Sequence, residues 1–463
     1  MTYRPDLDND DGREALSELV DATLEGGGAS APGTAVLPPR GPWWRSALRS
    51  RWMRFWIVMA AMGPGLITAN AGNDAGGIAT YADIGARYGY SMLWAFPLIL
   101  ISLAVVQEMS ARMGAATGKG LSDLIRENFS IHVTALVLLA LLVANGGTVV
   151  SEFIGIAASL KLLHDGAQYF TVLIAAGIWL MVVKGSYRSI EKVFLVMTLV
   201  FFAYPVSAIL AHPDWGQVIR HTVAPSFRIS SGYLFTFVAL IGTSITPYMQ
   251  VYVQSAVADK GITARDYAAE RIEVYVGSVF ANLIAVFIVI ATAATLFPYK
   301  GDISDASAAA RALAPLAGPF AEILFATGLF GASMLAAAVL PLATAYSISE
   351  ALGVEKGADA GFREAPVFMG LFTGLIALGT IVALIPGLPF IQVLLGVQVI
   401  DCVLLPFILF SILRLVNDRR LMGDMVNGRV YNGIARATAV IVTVLSLAYV
   451  GTTVAQIFGI SIG

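Results

Sequence analysis

The chain has 463 residues, of which 57% are hydrophobic and only 13% charged, against about 45–50% and about 25% in soluble domains; this is the composition of an integral membrane protein. With 29 Lys and Arg against 31 Asp and Glu the net charge is −2, which supplies no basic field for a nucleic-acid backbone. The only cysteine, Cys402, excludes an intramolecular disulfide framework and a thiolate zinc cluster.

Residues 1–54 carry no pattern of a cleavable signal. They open acidic and polar, pass through Gly26-Gly27-Gly28 and Pro38-Pro39, and end in Arg40, Arg45, Arg49, Arg51 and Arg54. The expectation is a disordered cytoplasmic tail. Beyond it, runs of about 20 mostly apolar residues predict about eleven transmembrane helices, at residues 55–86, 92–113, 133–163, 170–183, 193–211, 232–257, 274–297, 320–352, 367–385, 388–415 and 437–460. With the N-terminus inside, the outer loops keep only Arg87, Lys161, Arg220, Arg228, Lys300 and Arg311 of the 29 basic residues. That bias fits an N-in orientation in the cell membrane.

The first and sixth segments differ from the rest. GPGLITANAGNDAGGIAT (63–80) and IGTSITP (241–247) interrupt otherwise continuous apolar helices. Glycine weakens a helix and proline removes a donor, and unwound backbone at membrane depth is tolerated only where it lines a cavity. These are also the first members of two five-helix sets, about 55–211 and about 232–415, with one extra helix at about 437–460. Interrupted segments at matching positions of two halves point to a transporter with inverted repeats and a midplane site. Asp74 stands in the first break, and an intramembrane carboxylate costs roughly 2.5–3.5 kcal/mol unless a cation or partner compensates it.

The stretch from Gly63 to Thr80 resembles the first helix of the Nramp divalent-metal transporters, with Asp74, Ala75, Gly76 and Gly77 falling on the family's Asp-Pro-Gly-Asn. ARMGAATGKGLSDLIRENF (111–129) and SEFIGIAASLKLL (151–163) resemble the family's second-helix exit and third helix, and SITPYMQ stands where the family has Met-Pro-His. The resemblance implies an all-α membrane protein of LeuT-type five-plus-five topology with broken helices 1 and 6. It also implies that Asp74 holds a metal ion. Two family ligands are replaced, asparagine by Gly77 and the methionine thioether by Thr246. Oxygen donors and water suit hard Mg²⁺ better than softer ions, so the pattern resembles the bacterial Nramp-related magnesium transporters. Where the family carries an Asp and a His linked to proton co-transport, this chain has Val149 and Tyr248, leaving Glu152. Valine binds no proton and tyrosine titrates near 10, which predicts weak or absent proton coupling.

Candidate oxygen donors at the site are Asn70, Asn73, Thr243, Ser244, Thr246 and Gln392, the last resembling a tenth-helix glutamine of the family. Gln398 is expected to serve as packing glue. Glu152, Tyr248 and Asn70 are expected along the ion pathway, Asp401 has no assigned role, and Glu108 with Arg112 one turn on reads as a helix-surface ion pair. His132, His164, His212 and His221 lack metal-ligand spacing.

The expected function is a secondary carrier of Mg²⁺ and Mn²⁺. A proton-coupled Mn²⁺/Fe²⁺ importer is the alternative within the family. An amino-acid carrier of the same topology is disfavoured because Asp74 would repel a substrate carboxylate. No G-x-S-x-G, H-E-x-x-H or Walker motif supports an enzyme or a primary pump. The implied partners are the divalent ion and the lipid bilayer, no nucleic acid and no cofactor other than the transported ion; the site is compatible with a monomer.

Overall fold

The computed structural model describes residues 73–183, 203–228, 230–297, 306–355 and 362–457. Asn70, the tail at 1–54, the first half of the first predicted segment and most of the fifth lie outside them.

All regular structure among the described residues is helical. In chain order the main helices are α1 (Ala75–Tyr88), α2 (Ala95–Thr117), α3 (Leu121–Asn128), α4 (Ile131–Leu163), α5 (Thr171–Val183), α6 (Ala203–Leu210), α7 (Trp215–Val223), α8 (Ser231–Ser244), α9 (Pro247–Asp259), α10 (Tyr267–Thr295), α11 (Ala321–Leu352), α12 (Pro366–Ala383), α13 (Phe390–Val416) and α14 (Arg429–Ile457). Eight segments among the described residues are long and apolar enough to cross a bilayer, with α8 and α9 together forming one of them. The apolar runs therefore marked the helices well; α10 starts seven residues before its run, and the last helix starts earlier still. It begins at Arg429, eight residues before the apolar run, because Tyr431 and Asn432 are held there by Tyr275 and by Asn417 (2.7 Å).

Between lipid and helix there is no hydrophobic drive for association, so close packing falls to small residues and interhelical hydrogen bonds. α4 lies along α11, α12 and α13, while α1 packs among α10, α13 and α8. At Gly242 in α8 an added Cβ would stand 1.8 Å from the Gln398 carbonyl oxygen of α13. At Gly85 in α1 it would stand 1.9 Å from Thr292 Oγ1 of α10. Only glycine lets these backbones approach so closely. Asn145 Nδ2 donates to Thr344 Oγ1 (2.8 Å), joining α4 to α11, and Ser278 Oγ donates to Gln107 Oε1 (2.9 Å), joining α10 to α2. Each such bond adds on the order of 0.6 kcal/mol in a membrane. On α14 the apolar residues Val440, Val444 and Leu447 recur at helical spacing and are exposed, the pattern of a lipid-facing outer helix.

Glu108 and Arg112 overturn the expectation of a surface pair. Both are largely enclosed, 3.3 Å apart, with Tyr267 Oη donating to Glu108 Oε1 (2.9 Å) and Arg112 bonded to Asn427. The i, i+4 spacing was right; α10 and the chain before α14 bury the pair. Outside the membrane segments, Asp214 caps α7 by accepting from Gln217 N (3.1 Å), which holds its carboxyl below the usual range.

Candidate functional site

Asp74 is the N-cap of α1. Its backbone is extended, and its Oδ1 accepts from Gly77 N at 2.7 Å. The cap explains why a helix starts here, since the first amides of a helix have no intrahelical acceptor and the dipole favours negative charge at that end. The second oxygen, Oδ2, is buried and has no hydrogen-bond partner. Glu152 approaches the same helix end from α4, with Oε2 accepting from Ala75 N at 3.5 Å.

The second break lies between α8 and α9. α8 closes with Ile245 N donating to the Ile241 carbonyl (3.0 Å), Thr246 is extended, and Pro247 opens α9 at its first position. Because Pro247 has no N–H, the Thr243 carbonyl lacks the donor that an uninterrupted helix would bring four residues later. Proline therefore does two jobs, ending α8 and withholding a donor from the Thr243 carbonyl. The hydroxyls of Thr243 and Thr246, both buried, have no partner, and neither does the buried Asn73 amide.

Buried polar groups in proteins are normally paired, so a concentration of unpartnered oxygens marks a place where something else binds. Asp74 Oδ2, Asn73, Thr243 and Thr246 are such a concentration, on the two interrupted segments singled out in the sequence. Tyr81 of α1 stands beside Thr243, Ser244 and Asp74, and Tyr248 of α9 lies within electrostatic reach of Asp74, Glu152 and Asp401. No lysine or arginine among the described residues forms an ion pair with Asp74, Glu152 or Asp401. Among the described residues, the buried carboxylates there have no cationic side chain beside them to balance their charge. Methionine is present nearby as Met249, which packs in an apolar cluster with Val149, Phe153 and Met334.

Gln392 is a correction. It sits near the start of α13 on an exposed face, whereas Gln398 is fully buried with both amide atoms unpartnered. Gln398 Nε2 lies 1.9 Å from where a Cβ on Gly76 would be, with Ser151 Oγ at 3.2 Å. Six residues turn a helix by about 240°, so the two glutamines cannot face the same way, and it is Gln398 that looks into α1. The sequence signal was available: Gln398 and Asp401 share a face at i, i+3, and Gln392 does not belong to it. Gly77 keeps the position expected of it, its amide held by Asp74, with no side chain to offer. Val149 is buried among apolar groups and cannot relay protons. Asp401 has the partner the sequence did not reveal, Thr148 Oγ1 of α4 at 3.1 Å. The four histidines stay scattered, and no group of three or more His, Cys, Asp or Glu that could hold a metal occurs among the described residues. An ion at the breaks would therefore meet fewer than three such groups and would draw on neutral oxygens as well.

The chain is similar to known proteins along most of its length. Residues 65–452 match the family described as "Natural resistance-associated macrophage protein-like". The chain is similar to the divalent metal cation transporter MntH of Deinococcus radiodurans, 30% identical over 412 residues covering 84% of this chain and 89% of that protein. It is 27% identical to the protein of the same name from Pectobacterium carotovorum over 402 residues, 84% of this chain and 94% of the relative. Among solved structures it shares its fold with the Eremococcus coleocola manganese transporter at a TM-score of 0.69, with 19% identity, 94% of this chain and 92% of that chain being covered. The chain belongs to the Nramp family.

Proposed function

We propose that the protein carries a divalent metal cation across the cell membrane by alternating access, preferring Mg²⁺ and accepting Mn²⁺. The observation that carries this reading is the donor set at the two helix breaks. One carboxylate oxygen, two threonine hydroxyls and an amide are unpartnered and buried on the two segments, and Pro247 brings no donor to the Thr243 carbonyl. All are oxygen donors or amides, and threonine stands at 246. Hard ions that keep part of their water prefer such a site, and Mg²⁺ is the hardest and most reluctantly dehydrated of the candidates. The N-terminus is placed on the cytoplasmic side, and inward movement follows the ion gradient and the membrane potential. Two charges moving through 100 mV gain about 4.6 kcal/mol, at roughly 2.3 per charge. Val149 and Tyr248 at the family's Asp and His positions support transport with weak or no proton co-movement.

A second reading, proton-coupled Mn²⁺ or Fe²⁺ import, is favoured by the names of the relatives, which include manganese and divalent metal cation transporters. Uptake of Mg²⁺, Mn²⁺ and Ca²⁺ into proteoliposomes, with internal pH recorded, separates the two. The first reading expects Mg²⁺ uptake without matching acidification. Mn²⁺ uptake that excludes Mg²⁺, or acidification in step with the metal, overturns it in favour of the second.

A further inference from the structure

A third carboxylate lies inside the bundle and belongs to neither helix break. Asp401 is in the middle of α13, fully buried, three residues past Gln398. Its Oδ1 has no partner at all. Its Oδ2 is 3.1 Å from Thr148 Oγ1, and that hydroxyl is equally 3.1 Å from the Ala144 carbonyl behind it. One hydroxyl hydrogen cannot serve both acceptors fully. If Asp401 is protonated, the conflict disappears: the carboxyl donates to Thr148, and Thr148 donates to Ala144. The titratable groups within electrostatic reach of Asp401 are Asp74 at the start of α1, Tyr248 on α9 and its own neighbour Cys402, while Glu152, one turn beyond Thr148 on α4, lies within reach of Asp74 and Tyr248. On α2, Glu108 and Arg112 are engaged with each other. Among the described residues no positive group pairs with Asp401, and a buried charge without such a partner is costly.

A divalent ion at the breaks changes that balance. Against Asp74 alone it leaves one uncompensated positive charge in a buried site, within electrostatic reach of Asp401. We infer that Asp401 is the second charge of the cation site: it holds a proton when the site is empty and releases it when the divalent ion binds, so that ion, Asp74 and Asp401 together are neutral. The exchange balances as M²⁺ plus the protonated carboxyl giving bound M²⁺, an ionised Asp401 and one H⁺. The proton leaves to the side from which the ion came, so loading is pH-dependent although no proton need travel with the ion.

The inference rests on divalent-cation binding as proposed above, and the experiment separates the two. Calorimetry of Mn²⁺ and Mg²⁺ binding to the purified full-length protein, in buffers of differing ionisation enthalpy, counts protons released per ion. Wild type is expected to release about one, with apparent affinity rising up to tenfold per pH unit while Asp401 is protonated. Asp401→Asn should bind with release greatly reduced and a flat pH profile, and Asp401→Glu should restore both. Because Asp401→Asn could impair folding, infrared difference spectra of wild type give an independent record, a protonated-carboxyl band that vanishes on adding Mn²⁺. Thr148→Val should shift the pH midpoint while keeping the proton count. Undiminished release in Asp401→Asn, or no such band in wild type, overturns the inference; failure of wild type to bind either ion overturns the transport reading instead.

Discussion

Asp74 carries two jobs that mutagenesis can separate. Its Oδ1 caps α1 through Gly77 N at 2.7 Å, and its Oδ2 is buried without a partner. Asp74→Asn keeps an oxygen for the cap and removes the charge, whereas Asp74→Ala removes both. N-cap loss to alanine costs about 1 kcal/mol, within a range of roughly 0.5–2, so thermal unfolding in detergent should separate Ala from Asn and wild type by a few degrees. The charge weighs more. Unit charges about 4 Å apart interact by about 4 kcal/mol at an effective dielectric of about 20, a divalent ion doubles that, and desolvation returns part of it. Even a residual 2.8 kcal/mol is about a hundredfold in affinity at 1.4 per decade. Both variants should therefore lose at least about a hundredfold in Mg²⁺ affinity while only the alanine variant loses stability. Near-native Mg²⁺ uptake by Asp74→Asn, or equal destabilisation by both substitutions, refutes the assignment of these two roles.

Other perturbations follow from the same geometry. Thr246→Met, alone or with Gly77→Asn, should raise Mn²⁺ and Cd²⁺ over Mg²⁺ in competition assays, since a thioether gains more from softer ions; an unchanged order of preference places selectivity elsewhere on the path. Gly242→Ala drives a methyl to within 1.8 Å of the Gln398 carbonyl, an overpacking cost of about 1–3 kcal/mol or more, to be read as lost folded yield and a lowered unfolding temperature. Arg112→Leu leaves buried Glu108 unpaired and should destabilise by about 3–5 kcal/mol, while the added Glu108→Leu recovers most of it. A double variant no more stable than the single one would mean that Glu108 tolerates its burial without Arg112.

The membrane character, the positions of most spanning helices and the interruption at Pro247 were legible in the sequence because each depends on local chemistry. A run of about 20 apolar residues makes a helix in lipid whatever its neighbours do. Pro247 withholds the N–H that a helix running on from α8 would need. Asp74 was expected in an interruption, and it stands where α1 begins. Other features depended on which helix faces which. Gln392 and Gln398 are chemically the same, and only the packing of α13 against α1 and α8 turned Gln398 inward and left Gln392 exposed. Glu108 and Arg112 read as a surface pair until α10 covered them with Tyr267. Asp401 had no visible partner because Thr148 lies 253 residues away in the chain. Sequence periodicity gives the rotation of a residue about its own helix axis, but the identity of the neighbour is set by close approach at residues such as Gly242 and Gly85, and that is settled only when the helices are packed together.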